Sequence, residues 1–145
     1  MREIKFRGKQ IDNGEWVEGF YWAEEARNTN KHHIYTFEKK GNTNLIRITG
    51  NFEVDPATVG QYSELCDIRN QEIYESDICR LSYTGMDGKK RSHTWVVKYE
   101  NGMYWLRHIG ELKHYDSALL ITFREIEVIG NIHDNPELLE VGHEL

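Results

Sequence analysis

Seven histidines suggest a metal site, because neutral imidazole is a common ligand of zinc and related ions. A local ligand pair is missing, since the chain has no Cys-x-x-Cys and no His-Glu-x-x-His sequence. His32 and His33 are adjacent, so their side chains would lie on opposite faces of a strand. The tertiary structure would have to bring the other candidates together, namely His93, His108, His114 and His133. We therefore expect scattered histidines, and neither a metal nor a cofactor.

Paired carboxylates would serve a hydrolase or nuclease, in which they bind Mg²⁺ beside a lysine. Glu125 and Glu127 share one face of a predicted strand, and Glu72, Glu75 and Asp77 surround a predicted turn. Because the chain has 24 acidic residues, close pairs are unavoidable, and half-buried antiparallel strands normally turn charged residues towards water. A hydrolase or nuclease is therefore only the third alternative, and we expect no enzyme.

Basic residues cluster at one predicted hairpin tip, formed by Lys89, Lys90 and Arg91, and Arg124 could extend the same face. Small β-barrels bind nucleic acids with basic and aromatic surfaces of this kind. However, the formal net charge of −6 repels polyanions at long range, so nucleic-acid binding is an alternative and not the leading hypothesis. The neighbouring predicted strands carry the aromatic residues Tyr83, Trp95, Tyr99, Tyr104 and Trp105.

Antiparallel hairpins are predicted to position these residues, because turn dipeptides separate runs of aromatic and β-branched residues. Helical patterns are weak, and the clearest is a short C-terminal helical turn after Asp134. The polar residues 23–31 are predicted to form an exposed loop with one helical turn. The four turn dipeptides are Asn13-Gly14, Gly41-Asn42, Asp87-Gly88 and Asn101-Gly102.

The fold class is therefore mainly β, with two lobes. Asp55-Pro56 marks the boundary, since proline removes a ladder donor, so we predict an N-terminal sheet lobe over residues 1–57 and a second lobe over 58–145. The two lobes could also form one intertwined domain. The predicted hairpins pair 4–6 with 16–22 and 33–37 with 45–48, and a meander joins 78–83, 94–99 and 103–106.

Size and composition permit a packed core without metal or disulfide, because the 145 residues include 39% apolar residues. Cys66 and Cys79 flank the predicted Asn70-Gln71 turn, where a cross-strand disulfide is geometrically conceivable. The chain has neither a recognisable signal peptide nor an apolar run of about 20 residues, as a membrane span needs. We therefore expect free thiols and a location in a reducing cytoplasm, away from membranes.

The stretch from Val59 to Ile78 predicts a strand, a polar turn, a strand and a second tight turn. Tyr74, Glu75, Ser76 and Asp77 form the second turn. The neighbours of Asp77 are mostly apolar, so its carboxylate is predicted to cap the backbone of this turn.

That stretch, together with residues 1–8 and 128–139, resembles the YopX family of small phage and prophage proteins, with the three segments in the family's order. The family typically has Gly at the position of Ser76 and often Asn-Gly where this chain has Asn70-Gln71, and Gly at such places usually supplies a positive φ. The resemblance implies a β-rich protein with an SH3-like barrel, and it names no reaction. Five predicted strands in the C-terminal lobe match the strand count of such a barrel.

These observations predict a phage-encoded accessory protein without catalytic activity that binds a protein partner. Because small open sheets have exposed edge strands that favour pairing between chains, a homo-oligomer is expected, and the alternative partner is an unknown phage or host protein.

Overall fold

The computed structural model describes residues 2–110, 117–118 and 125–140. Strands and two short 3-10 helices are the regular elements in this part of the chain, so the mainly β prediction is confirmed. The 3-10 helix at Pro136–Leu139 lies where a C-terminal helical turn was predicted, and the other spans Pro56–Thr58. The strands are β1 (Phe6–Lys9), β2 (Trp16–Ala26), β3 (Thr29–Lys39), β4 (Ile46–Glu53), β5 (Gly60–Cys66), β6 (Glu72–Tyr74), β7 (Asp77–Thr84), β8 (Lys90–Glu100), β9 (Met103–His108), β10 (Ser117–Ala118) and β11 (Ile126–Asn131).

The first compact unit, Met1–Tyr62, contains the strand order β4-β3-β2-β1-β5, in which the described pairings are antiparallel. Both predicted hairpins of this unit are confirmed, but the predicted loop at residues 23–31 is wrong. The strands β2 and β3 continue through most of it, and their pairing runs to Ala26↔Thr29. Polar residues are compatible with this extension because both faces of the hairpin end contact water.

The core of this unit is small and lies on one face of its sheet. Val17, Ile34 and Val54 are buried there, and three partly buried residues pack against them, namely Phe6, Phe52 and Val59. Gly19 allows the strands to approach, since a Cβ atom at this position would lie 2.0 Å from the carbonyl oxygen of Tyr35. The opposite face of the sheet has no comparable cluster among the described residues.

The second compact unit, Ser63–Leu145, is built on the predicted meander of β7, β8 and β9, which is confirmed. The strand β11 pairs with β7 at one edge, and the two-residue β10 pairs with β9 at the other. Asn101 and Gly102 have φ values of 53° and 77°, as the tight β8–β9 turn requires. The buried core comprises Ile73, Cys79, Trp95, Val97, Leu106, Ile126 and Val128.

The predicted SH3-like barrel is not formed by the described strands. The sheet β10-β9-β8-β7-β11 is open, because its two edge strands do not pair with each other. The sequence prediction had assigned β5 and β6 to the barrel, but they belong to the other sheet, in the order β1-β5-β6. The start of β5 pairs with β1 through Phe6↔Gln61 and Arg7↔Gly60. The two units accordingly divide within β5, between Tyr62 and Ser63, whereas the predicted lobes divide between residues 57 and 58.

Candidate interaction surface

An exposed apolar surface covers the outer strands of the first unit, and we call it the apolar face. It consists of Phe20, Trp22, Phe37, Ile46 and Ile48, whose exposed fractions are 48%, 51%, 40%, 57% and 64%. The strand register places these side chains together, since Phe37 pairs with Ile48 and the rings of Phe20 and Phe37 stack with centroids 4.8 Å apart. Exposed apolar side chains that form one continuous surface are typical of interaction sites.

The alternation of β2 explains why this surface exists. Val17 and Gly19 lie on the buried face, whereas Phe20 and Trp22 lie on the opposite face. In an antiparallel sheet with one solvated face, the outward positions are normally polar. The apolar run from Gly19 to Ala23 departs from that pattern, and this run is the sequence signal that could have identified the surface.

Paired charges border one end of the apolar face. Lys31 lies 3.9 Å from Glu53, and the Nε2 atom of His33 lies 3.8 Å from Glu24. The ring of His33 also contacts Trp22, with centroids 6.1 Å apart. His32, its neighbour, stacks on Tyr21 instead, so the two adjacent histidines lie on opposite faces of β3.

The predicted basic hairpin tip carries less free positive charge than its sequence indicates. Both terminal nitrogens of Arg91 donate hydrogen bonds to the carboxylate of Asp87, at 3.0 and 2.7 Å. This side-chain hydrogen bond, followed by one from the Lys89 backbone, lowers the pKa of Asp87 and keeps it ionised. Lys89 and Lys90 are exposed, and Arg124 lies outside the described residues.

The corner at residues 74–77 is held by its own side chains. Asp77 is almost fully buried, and its Oδ2 atom accepts a hydrogen bond of 2.7 Å from the backbone N–H of Tyr74. Ser76 has a φ of 71°, in the left-handed region that glycine adopts without strain. The Tyr74 hydroxyl donates to Glu72, and Glu75 is half-buried. The corner positions β6 and β7, and nothing in its described geometry indicates a ligand.

Asp67 is a second buried carboxylate, and the sequence reasoning missed it. It accepts backbone hydrogen bonds from Arg69, Gln71 and Val128, at 2.8, 2.9 and 3.0 Å. Burial alone would raise its pKa, but the three hydrogen bonds and the nearby Arg69 charge hold the pKa of Asp67 below its usual value. The local part of this pattern, an Asp followed by a turn, is visible in the sequence, whereas the contact with Val128 is not.

The structure brings together two of the four distant histidines, His93 and His108. The Nδ1 atom of His93 lies 3.2 Å from the Nε2 atom of His108. The hydroxyl of Tyr83 lies 3.1 Å from the other ring nitrogen of His93. His114 lies outside the described residues, and His133 is half-buried in the turn that follows β11.

The candidate carboxylates do not form a magnesium site in the part of the chain that the structure describes. Glu127 bridges two arginines, since its two oxygens each lie 3.1 Å from a guanidinium nitrogen of Arg69 or Arg80. Among residues 2–110, 117–118 and 125–140, no group of three or more His, Cys, Asp or Glu side chains could hold a metal ion. No disulfide joins Cys66, which is exposed, to Cys79, which is buried. No described helix is long and apolar enough to cross a membrane.

The fold and its surface define a mainly β protein of two compact units, one of which presents an apolar sheet face. The chain belongs to the YopX protein family, which it matches over residues 5–140. It is 31% identical to the SPbeta prophage-derived uncharacterized protein YopX of Bacillus subtilis (strain 168) over 75 residues, which are 50% of this chain and 54% of the relative. The match therefore spans about half the length of that relative.

A solved structure has a similar fold. The crystal structure of protein EF1440 from Enterococcus faecalis superposes with a TM-score of 0.58 and 22% sequence identity. The superposition covers 97% of this chain and 100% of the other. At this identity the likeness concerns the fold alone.

Proposed function

We propose that this chain is a non-catalytic prophage accessory protein that acts as a self-associating module, in which the apolar face packs against the same face of a second copy. The observation that carries this proposal is the exposure of five large apolar side chains on one surface of β2, β3 and β4. Two sheets that pack face to face bury such side chains between them, as in a β-sandwich.

The size of the apolar face supports a second copy as its occupant. With roughly 200 Å² for each side chain, the exposed fractions correspond to roughly 500 Å² of apolar surface per copy. Two such faces would bury about 1,000 Å², the lower limit of a specific interface, before any contribution from the border. A twofold axis would bring the same residues of both copies into contact and close the assembly at two.

The edge strand itself is less suited to continuous pairing between copies. β4 is the outermost strand, but its pairing with β3 is interrupted by a register shift between Thr36 and Phe37. Such bulges twist an edge and hinder strand addition. We therefore assign the association to side-chain packing across the apolar face and not to a new strand ladder.

Nucleic-acid binding is less well supported, because Arg91 is held by Asp87 and the chain carries a formal net charge of −6. Catalysis is also less well supported, since no cluster of three metal-binding side chains occurs within the described ranges. These observations favour a binding module over the nuclease alternative.

Size-exclusion chromatography with light scattering tests the proposal. We expect a dimer that persists in about 0.5 M salt, because apolar burial is not screened by ions. Ile48→Lys should give a folded monomer, since it places a charge within the interface. Met86→Lys is the matched control, because Met86 is fully exposed in the other unit, and this variant should remain a dimer.

Three outcomes would overturn the proposal. A wild-type monomer at high protein concentration would exclude self-association. A dimer that Ile48→Lys leaves intact would place the interface elsewhere. A monomer that binds DNA at low salt, and loses this binding when Lys89 and Lys90 become alanine, would establish the nucleic-acid alternative.

A further inference from the structure

A histidine pair on the core-facing side of the second unit has the geometry of two ligands of one metal ion. His93 lies in β8 and His108 ends β9, and the pairing of Trp95 with His108 fixes their relative positions. Their nearest ring nitrogens are 3.2 Å apart, and the ring centroids are 5.1 Å apart. Because both residues lie on paired strands, this spacing is set by the backbone ladder.

The spacing matches that of a tetrahedral site. A zinc ion binds imidazole nitrogen at about 2.0–2.1 Å, so two such nitrogens at a tetrahedral angle are roughly 3.3 Å apart. A direct hydrogen bond between the rings gives a similar separation, and it is the alternative that the experiment must exclude. A metal ion would replace the proton of the hydrogen bond between Nδ1 of His93 and Nε2 of His108, and that proton would move to the outer nitrogen of the ring that carried it.

Tyr83 supplies the outer contact that metal-binding histidines normally have. Its hydroxyl lies 3.1 Å from Nε2 of His93, and the two rings stack with centroids 5.6 Å apart. When the Tyr83 hydroxyl accepts from Nε2, the ring proton of His93 lies there and the lone pair of Nδ1 is available to a ligand.

His108 directs its Nε2 atom at His93. Its half-buried ring meets the edge of Trp95 at a centroid distance of 4.8 Å. Its Nδ1 atom is buried and has no hydrogen-bond partner in the described part of the chain. A proton on this Nδ1 atom would leave the lone pair on Nε2, which faces His93.

We propose that His93 and His108 bind one divalent transition-metal ion such as Zn²⁺ or Ni²⁺, with solvent oxygen at the remaining positions. The class of ion follows from the ligands, because imidazole nitrogen suits zinc, copper and nickel, whereas Mg²⁺ and Ca²⁺ prefer oxygen. This site is independent of the apolar face, which lies in the other unit.

Calorimetric titration of the metal-free protein with Zn²⁺ at pH 7.5 tests the site, together with thermal unfolding. We expect one ion per chain and a rise in Tm of about 3 °C or more in excess Zn²⁺, since the ion binds the folded state. His93→Ala and His108→Ala should each abolish both effects. Tyr83→Phe should weaken binding about tenfold while leaving the stoichiometry unchanged.

The matched control is His32→Ala, because His32 also contacts a tyrosine, with its Nδ1 atom 2.5 Å from the Tyr21 hydroxyl, but lies on another strand. This variant should bind Zn²⁺ as the wild type does. If His93→Ala does not fold, His93→Gln supplies the same test with a polar side chain of similar size. An unchanged Zn²⁺ response in the His93 and His108 variants, or no response of the wild type in 1 mM Zn²⁺, would overturn the proposal.

Discussion

Asp67 connects a local turn to a distant strand through a single carboxylate. Its Oδ1 atom accepts from the backbone of Arg69 and Gln71, and its Oδ2 atom accepts from Val128 in β11. A carboxylate has enough lone pairs for all three bonds, and a bond to an ionised acceptor is stronger than one to a neutral acceptor. Asp67 therefore stabilises both the 67–71 turn and the attachment of β11.

Asp67→Asn should destabilise the protein by about 1–3 kcal/mol at pH 7, because an amide cannot accept at both positions and leaves a buried donor without a partner. The effect depends on pH. The pKa of Asp67 is lowered by folding, so its ionised form contributes stability above about pH 4, and this contribution is lost as the pH falls through the lowered value. In urea unfolding, the difference between wild type and variant should shrink as the pH falls below about 4, whereas Asp12→Asn, at an exposed position, should match the wild type throughout.

Two substitutions in the corner at residues 74–77 should change the stability of the fold in opposite directions. Ser76→Gly should stabilise the fold by about 0.5–1 kcal/mol, because Ser76 has a φ of 71° and glycine adopts this conformation without strain. Asp77→Ala should cost about 1–2 kcal/mol, since it removes the acceptor of the Tyr74 N–H. Lys90→Ala, on the exposed hairpin tip, should change the free energy of unfolding by less than about 0.5 kcal/mol. A destabilising Ser76→Gly would contradict the left-handed assignment.

At the scale of elements, the hairpins could be predicted because their signals are local. Asn101-Gly102 identifies the β8–β9 turn, since both residues adopt positive φ. The β2–β3 extension through residues 23–31 could not be predicted, because its polar residues show no apolar alternation. Its pairing continues the ladder that the earlier part of the same hairpin sets. The described strands do not form the predicted barrel, for a related reason. The partner of β5 is β1, far earlier in the chain, and no local signal specifies that pairing.

Gly19→Ala tests the close packing of the β2–β3 ladder. A methyl group at this position would lie 2.0 Å from the carbonyl oxygen of Tyr35, which is backbone and cannot rotate away. We expect the free energy of unfolding, measured in urea, to fall by about 1–3 kcal/mol, because the strands must separate to admit the methyl group. Gly88→Ala is the control, since Gly88 has open space around it and only its φ of 76° opposes the change, which should cost about 1 kcal/mol. Equal losses in the two variants would show that the ladder can adjust.

At the scale of the whole molecule, the sequence indicates the candidate surfaces only in part. The apolar run at 19–23 shows that both faces of β2 carry apolar groups, but the core formed by the described residues covers only one of them. The second face can be identified only from the register of β3 and β4, which places Phe37 and Ile48 beside Phe20. The histidine pair also cannot be identified from the sequence alone. Its members lie near the two ends of the β8–β9 hairpin, and the pairing of β8 with β9 brings them together.

Self-association through the apolar face should make thermal stability depend on protein concentration. A dimer that unfolds to separate chains gains about 1.4 kcal/mol of stability per dimer for each tenfold rise in protein concentration, since association follows mass action. Calorimetry between about 5 and 500 µM should therefore show a rising Tm for the wild type and a constant Tm for Ile48→Lys. The rise should persist in 0.5 M salt, because the interface rests on apolar burial and not on ion pairs. A wild-type Tm that does not change with concentration would show that the apolar face does not join two copies of this chain.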